Sequence, residues 1–397
     1  MERKSGENIK RCRCTKSKAG LITKTIILLV FLALQTNCIK KDTNDGTNGM
    51  GNLSPVWVYS GVEYPRYLRM SKDGKYAILA GESKVALLDL SKQEEIISYQ
   101  VTSEEIGFEG VSISESGYAI ATTFSNMKVF YALDNTFLAT ITEVNGQRLR
   151  GYPVILTPSG QDVFAFGFLR FHLSGGLVWY NPVNLQDQYG NYYPNPDYDF
   201  ANEMVCSRDG TILVMESSIY GKLSIFNGLN GTLSWRCSES FDGGDELAIS
   251  GNGNVAVAKD LSRIFFFSTN PPSLLFTRDL SRTPVNSYRS VAVSYDGNII
   301  AVGDMSRLLI FKNRSSNPTA IRETNEGEIL NIDMSDDGTR IAISSYFGGL
   351  QIYDQNGNLL YAHDSEYSGA VSEANISRDG KIVTCIYENK FHMYKLK

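Results

Sequence analysis

A short pattern of polar and apolar positions recurs eight times along the chain. In each copy an apolar segment with alternating side chains ends in Ser-x-Asp-Gly or a close variant, and a second apolar segment follows. The copies begin at Ser71, Ser114, Thr157, Ser207, Ser250, Ser294, Ser335 and Ser377, and their glycines are 41 to 50 residues apart. A period of two predicts β-strands, and Ser, Asp and Gly favour a tight turn between strands.

Two or three strands are predicted after each turn, the first of them being the second apolar segment. Aromatic-rich segments such as residues 263–267 (RIFFF) predict a third strand, and segments such as residues 358–361 (NLLY) predict a fourth. Four strands in about 43 residues are typical of one propeller blade. The sequence therefore predicts an all-β protein, with a single eight-bladed β-propeller of four-stranded blades over residues 54–397.

The two ends of this region predict how the ring closes. The last copy ends at Lys397 after its third strand, whereas residues 54–60 (SPVWVYS) supply a spare strand before the first copy. We expect the N-terminal strand to complete the last blade, so that pairing of the N- and C-terminal strands closes the ring.

These repeats resemble the WD40-like and YVTN-like propeller repeats of bacteria, and their number is similar to that of the quinoprotein-like eight-bladed superfamily. The sequence has neither the Gly-His pair nor the Trp-Asp dipeptide of true WD40 repeats. The quinone-cofactor dehydrogenases of that superfamily use an adjacent Cys-Cys pair, which this sequence lacks. The resemblance thus implies a propeller fold and no quinone cofactor.

The first 37 residues have the pattern of a secretory signal peptide. Eight Lys and Arg residues precede the ten-residue apolar run 25–34, which is shorter than the roughly 20 residues that span a bilayer. Residues 34–38 (LQTNC) resemble the lipobox of bacterial lipoproteins, although Leu34 stands four residues before the cysteine instead of three. The resemblance implies lipidation of Cys38 and a lipid anchor at the cell envelope, on the outer membrane or the cell surface. The Gly- and Asn-rich residues 38–53 predict a flexible tether.

The composition argues against a nucleic-acid partner, a zinc site and catalysis. The formal charge is -5, from 38 basic and 43 acidic residues, so clustered positive charge for a nucleic-acid partner is not expected. The chain has only 3 His, and Cys206, Cys237 and Cys385 form no short-spaced pair. We expect single thiols, no zinc site and no cofactor, and the scarcity of His favours binding over catalysis.

Propeller topology divides the connections between two faces. The connections from each fourth strand to the next first strand, and from second to third strands, open on one face, here called the loop face. The Ser-x-Asp-Gly turns and the three-to-four turns open on the other, here called the turn face. The loop face is predicted to be acid-rich. It is either a solvated rim or a site for a cation or a basic partner. Its candidate binding residues include Asp242, Asp245, Glu246, Glu326 and Glu328.

The third repeat is longer than the others, and the excess is assigned to an extra loop at residues 168–175, between its second and third strands. Phe168, Arg170 and Phe171 in this loop make a candidate hot spot for protein recognition. The alternative is that the aromatic side chains pack back onto a neighbouring blade.

The favoured interpretation is an exported, lipid-anchored protein whose propeller binds a protein or other ligand without catalysis. One alternative is a metal-assisted hydrolase or lactonase, in which Glu203, Asp245, Glu246 and Glu373 line the channel mouth. Another is a scaffold for outer-membrane protein assembly. The sequence leaves the identity of the partner and the oligomeric state open.

Overall fold

A computed structural model describes residues 51–102, 107–123, 126–144, 147–148, 154–158, 160, 162–165, 169–173, 177–180, 201–217, 222–241, 246–280, 290–324, 327–363 and 371–397. They belong to one compact unit, Gly49–Lys397. These residues form 35 β-strands. No part of them forms a helix with the length and apolarity needed to cross a membrane. The predicted signal peptide (1–37), Cys38 and the tether up to residue 50 lie outside the described residues.

The propeller has eight blades, and each blade is a sheet built around four strands. Two short N-terminal strands come first, β1 (Gly51–Leu53) and β2 (Trp57–Tyr59). The blades then follow in chain order: blade one, β3 (Tyr67–Met70), β4 (Tyr76–Ala80), β5 (Lys84–Asp89) and β6 (Glu94–Gln100); blade two, β7 (Phe108–Ile113), β8 (Tyr118–Thr123), β9 (Met127–Tyr131) and β10 (Thr136–Ile141); a separate hairpin, β11 (Glu143–Val144) and β12 (Gln147–Arg148); blade three, β13 (Val154–Leu156), β14 (Asp162–Ala165), β15 (Leu169–His172) and β16 (Leu177–Tyr180); blade four, β17 (Ala201–Cys206), β18 (Ile212–Ser217), β19 (Lys222–Asn227) and β20 (Leu233–Arg236). The second half continues with blade five, β21 (Glu246–Ile249), β22 (Val255–Lys259), β23 (Arg263–Thr269) and β24 (Pro272–Asp279); blade six, β25 (Val291–Val293), β26 (Ile299–Asp304), β27 (Arg307–Lys312) and β28 (Ala320–Glu323); blade seven, β29 (Ile329–Met334), β30 (Ile341–Ser345), β31 (Gly349–Tyr353) and β32 (Leu359–His363); and blade eight, β33 (Val371–Ile376), β34 (Ile382–Tyr387) and β35 (Lys390–Lys395).

The first strands of the blades line the middle of the ring. Each contacts the first strand of the next blade, and β33 of blade eight contacts β3 of blade one. Within each blade the consecutive strands pair antiparallel. The predicted eight-bladed, all-β propeller is therefore confirmed.

The N-terminal strand β2 closes the ring. It pairs antiparallel with β35, with Trp57 opposite Met393 and Tyr59 opposite Phe391. The rings of Trp57 and Phe391 meet edge to face with their centroids 5.3 Å apart. Blade eight thus takes its outer strand from the other end of the chain, as the sequence predicts.

The Ser-x-Asp-Gly turns share one hydrogen-bond scheme. In blade four, Ser207 Oγ donates to Asp209 Oδ1 at 2.7 Å and accepts the backbone N–H of Ile212 at 3.0 Å. Asp209 Oδ1 also accepts the backbone N–H of Thr211 at 3.0 Å. The turn glycine takes a left-handed φ in seven of the eight copies, for example +69° at Gly210, which other residues rarely adopt. These contacts explain why the motif keeps its polar residues although its serine is buried.

The hydrophobic core lies between neighbouring blades. In β23, Phe265 and Phe267 pack against side chains of blade four, whereas Phe266 packs against Phe311 of blade six. A strand enclosed on both faces by other blades has no polar side, so its sequence is a continuous apolar run instead of an alternation.

The first strand begins at Gly51, three residues before the predicted boundary between tether and propeller at residue 54. Strand β1 pairs parallel with β32 at the outer edge of blade seven, with Gly51 opposite Tyr361. A Cβ on Gly51 would lie only 2.4 Å from the Tyr361 ring, and Leu53 is buried in the adjoining core. Residues 51–53 were assigned to the tether because of their Gly and Asn content, and that composition also suits a close approach of two chains.

The prediction of an extra loop in blade three is wrong, because most of that segment forms a strand. Leu169–His172 forms β15, the third strand, which pairs antiparallel with β14. Leu177–Tyr180, expected to be the third strand, is the fourth. Both segments carry apolar and aromatic residues, so their pattern alone did not decide which of them continues the sheet.

Candidate functional site

The loop face is built as the topology predicts. In blade seven the two-to-three connection lies beside the connection that enters the blade, because Tyr346 N–H donates to the carbonyl of Glu328 at 3.0 Å. In blade one, a Cβ on Gly81 would meet the carbonyl of Glu63, which precedes the first strand. The two kinds of connection therefore share one face, and side chains from both can contact the same ligand.

Arg170 and Phe171, the two residues of the predicted hot spot whose side chains the structure describes, are not exposed. Arg170 is 7% exposed, and its Nη1 donates to the carbonyl of Gly228 in blade four at 2.7 Å, while its Nη2 pairs with Asp162. Phe171 is 4% exposed and packs among the side chains of blades two and three. The alternative, in which the aromatic side chain packs onto a neighbouring blade, is correct for Phe171. Phe168 lies outside the described residues.

Glu246 belongs to the joint between blades five and six and is not a contact for a partner. It is 3% exposed, its Oε2 accepts hydrogen bonds from the backbone and hydroxyl of Ser290, and Oε1 lies 3.6 Å from Lys259 Nζ. Burial raises the pKa of Glu246 to about 7, against the opposing effects of Lys259 and Ser290. Sequence reasoning placed it on the acid-rich face because it follows a polar connection.

The other acidic candidates divide into described and undescribed residues. Glu328 is half-buried in the connection between blades six and seven. Asp242, Asp245 and Glu326 lie outside the described part of the chain. Glu323 is exposed at the end of β28, the strand that precedes this connection.

The carboxylates proposed for a metal-assisted hydrolase are held by protein donors. Glu203 accepts the backbone N–H of Leu247 in the next blade at 2.7 Å, and Glu373 pairs with Arg69 across the joint between blades eight and one. Within the ranges that the structure describes, no three His, Cys, Asp or Glu side chains converge as metal ligands. Glu203, Glu246 and Glu373 thus act as links between blades.

Cys237, Cys385 and His392 are buried, whereas Cys206 and His363 are half-buried. Cys206, Cys237 and Cys385 are free thiols, and burial raises the pKa of both Cys206 and Cys385 to about 12. His392 is 8% exposed, and burial, with the charge of His363, lowers its pKa to about 4. Burial thus disfavours the thiolate form of Cys206 and Cys385 and the charged form of His392.

One charged cluster was missed by sequence reasoning. Glu115, Arg208, Asp336 and Arg378 are the second residues of their turns, and their side chains meet at the turn face; we call them the cross-channel cluster. Arg208 Nη2 lies 2.7 and 2.6 Å from the two carboxylate oxygens of Asp336, and Arg378 pairs with Glu115. These residues come from blades two, four, seven and eight, so their side chains reach across the ring. The sequence signal for this cluster was a charged residue at the second position of the turn, whose side chain the hydrogen bonds of the turn do not use.

Backbone hydrogen bonds surround this cluster. The second residue of one turn donates to the corresponding residue of the next blade, as from Asp336 to Arg378 at 3.0 Å and from Arg378 to Lys72 at 2.7 Å. Similar bonds between turns occur at six blade junctions. The turns of neighbouring blades are thus joined through their backbones as well as through these charged side chains.

A second feature missed by sequence reasoning is an exposed aromatic pair on the loop face. Tyr346 and Phe347 are 52% and 57% exposed, and their rings meet edge to face with centroids 4.8 Å apart. In the described residues no other two adjacent aromatic side chains are both more than half exposed. The sequence signal for this pair was an aromatic dipeptide directly before Gly348 and Gly349, in a segment where the connection between the second and third strands is expected.

Comparison with known proteins supports the fold and leaves the family unassigned. No protein-family model and no curated protein matches the sequence. Many solved structures share its architecture. Among them is the crystal structure of Chaetomium thermophilum Sqt1 bound to the N-terminus of the ribosomal protein L10. It is 13% identical, has a TM-score of 0.66, and covers 87% of this chain and 100% of that one. At this identity the likeness shows a shared propeller fold alone.

Proposed function

We propose that this protein is an exported, lipid-anchored scaffold whose propeller binds a protein partner on its loop face, without catalysis. The observation that carries the proposal is the difference between the two faces. On the turn face, charged side chains from four blades pair with one another and backbone hydrogen bonds join neighbouring turns, whereas the loop face presents the exposed rings of Tyr346 and Phe347. Exposed aromatic side chains on a rigid frame are typical of protein interfaces.

The similarity to Sqt1 supports the class of ligand. That propeller is seen bound to the N-terminus of a ribosomal protein, so a ring of this shape can hold a segment of another protein. For the present chain we propose the same kind of ligand, a protein segment, and not the same partner.

Membrane attachment through Cys38 is part of the proposal. Its support is the lipobox-like sequence LQTNC and the apolar run before it. The position of β1 is compatible with an anchor, because the chain enters the propeller at the outer edge of blade seven, beside β32.

Metabolic labelling with an alkyne-bearing fatty acid tests the anchor. We expect label on the full-length protein and none on Cys38→Ala, whereas Cys12→Ala with Cys14→Ala is the matched control and keeps the label. Labelled Cys38→Ala, or an unlabelled wild type, would contradict lipidation at this residue.

Photo-crosslinking in cells tests the binding face. A benzoylphenylalanine is placed at Glu82, in the two-to-three connection of blade one, or at Lys92, in the three-to-four turn of the same blade; both side chains are exposed. We expect a discrete protein adduct from position 82 and none from position 92. An adduct from position 92 alone would place the partner on the turn face, and the absence of any adduct would contradict the scaffold.

A further inference from the structure

We propose that Tyr346 and Phe347 form the anchor for a basic segment of the partner, with an Arg or Lys side chain of that segment placed on their rings. The inference rests on the proposed function and names the chemistry of the ligand at the same face. Both side chains lie on the connection between β30 and β31 and are more than half exposed. Two adjacent rings give a cation a broad aromatic surface to contact.

The backbone under the pair is fixed before any ligand arrives. Tyr346 N–H donates to the carbonyl of Glu328, and Gly348 N–H donates to Ser345 Oγ at 3.0 Å. Strands β30 and β31 on either side are buried along their whole length. A rigid support lowers the entropy that is lost when a partner orders the loop, so the exposed rings can contribute most of their contact energy to binding.

Gly327 holds the neighbouring connection against Phe347. Its φ is +96°, and a Cβ at this position would lie 2.9 Å from Cδ2 and 3.2 Å from the backbone nitrogen of Phe347. A glycine is therefore required for the connection between blades six and seven to touch the aromatic pair.

The charge beside the pair selects a cation. Glu328 directly follows Gly327. Exposed Glu323 lies four residues before Gly327, at the end of β28. Because Glu328 is half-buried, we assign the ion pair with an Arg or Lys on the rings to exposed Glu323, so that the aromatic and electrostatic contributions favour the same group. The net charge of the chain is also negative, which attracts a basic segment from a distance.

Peptide display on the full-length protein, solubilised in detergent, tests this inference. A random library of about twelve residues, enough to cover one such patch, is selected on the wild type. The enriched peptides are then synthesised and titrated against variants. The test variant is Tyr346→Ser with Phe347→Ser. The matched control is Leu133→Ser with Leu229→Ser, because these side chains are 64% and 55% exposed in three-to-four turns of the opposite face.

We expect the enriched peptides to carry Arg or Lys next to apolar residues. Their affinity should fall at least about tenfold for the test variant, as for a hot-spot residue, and stay within about twofold for the control. Tyr346→Phe should keep the affinity because a cation–π contact needs only the ring. Glu323→Gln should weaken binding about threefold and reduce its dependence on salt.

Each contrary outcome points to a different error. Acidic or uncharged enriched peptides would overturn the basic segment. Basic peptides that bind the test variant as tightly as the wild type would overturn the anchor and leave the proposed function standing. A concentration-dependent dimer that the test variant loses would identify a second copy as the occupant. The absence of any enriched peptide would contradict the proposed function itself.

Discussion

Arg208 of blade four and Asp336 of blade seven are joined across the ring by two contacts of 2.7 and 2.6 Å. The guanidinium also lies over the ring of Tyr295, 4.6 Å from its centroid, and 3.9 Å from Glu115. Because three blade steps separate the two turns, the pair fixes the distance between opposite parts of the ring. We therefore infer that the cross-channel cluster resists opening and shear of the propeller.

The first prediction concerns the energy of this pair. Arg208→Gln and Asp336→Asn should show a coupling of about 1 kcal/mol in a double-mutant cycle for unfolding, and the coupling should fall at high salt. The exposed pair Arg66 and Glu82 is the matched control and should couple weakly, since both side chains are about 60% exposed. Equal coupling for the two pairs would contradict a role specific to the channel.

The second prediction concerns acid stability. Burial acts to raise the pKa of Asp209, Asp296, Asp337 and Asp379, but hydrogen bonds within the turns outweigh it and hold each pKa below the ordinary 3.8. The stability that they contribute is present above pH 3.8 and is lost as pH falls through their lowered values. Denaturant titrations at successive pH values should show this decline.

A fourfold Asp→Asn variant provides the control for that experiment. Blade five already carries Asn252, whose Oδ1 accepts the same bonds from Ser250 and from the backbone of Asn254. The variant should therefore fold normally at neutral pH and lose part of the acid dependence. An unchanged acid slope would show that other groups cause it.

The third prediction has the opposite sign and concerns Glu246. Its pKa is raised from 4.5 to about 7, so the folded protein holds this proton more tightly than the unfolded chain does. The free energy of unfolding should decrease as pH rises from 4.5 to 7, and Glu246→Gln should remove that decrease. Glu239→Gln is the control, because Glu239 lies in a partly exposed pair with Arg263. A wild-type slope that persists in Glu246→Gln would contradict the assignment.

The fourth prediction separates structure from recognition in blade three. Arg170→Ala should lower the free energy of unfolding by about 2–3 kcal/mol, because it removes hydrogen bonds from a charged group to Gly228 and Asp162. Arg170→Lys should recover only part of this, since an ammonium lacks the planar fork that reaches both acceptors. Lys381→Ala, on a side chain that is 69% exposed, is the control. Loss of ligand binding without loss of stability would restore Arg170 as a contact residue.

Local signals in the sequence were sufficient for the fold. The turns could be predicted because Ser207 and Asp209 bond within their own segment, and the closure could be predicted because residues 54–60 had no other blade to join. Blade three was misassigned because residues 169–172 and 177–180 have similar apolar patterns. The Ser-Gly-Gly at 174–176, which separates these two paired strands, was the better guide to their order.

The sites were harder to predict because they depend on non-local contacts. The turn motif leaves its second residue free, so nothing near Arg208 in the sequence indicates Asp336 as its partner. Glu246 looked like a surface acid because only the next blade supplies Ser290 and buries it. Tyr346 and Phe347 follow a buried strand, and an apolar dipeptide there cannot be distinguished by pattern from more of the core.

The pairing of β2 with β35 sets an order for biosynthesis. Ribosomes make residues 57–59 before the strands of blades one to seven and residues 390–395 after them, so blade eight has no complete sheet until all the other blades have been synthesised. Contacts of such long sequence separation form late and slowly. The joint between blade eight and blade one therefore stays open until both of these strands are available. Closure of the ring is then the last step in the folding of the propeller, whichever blades form first.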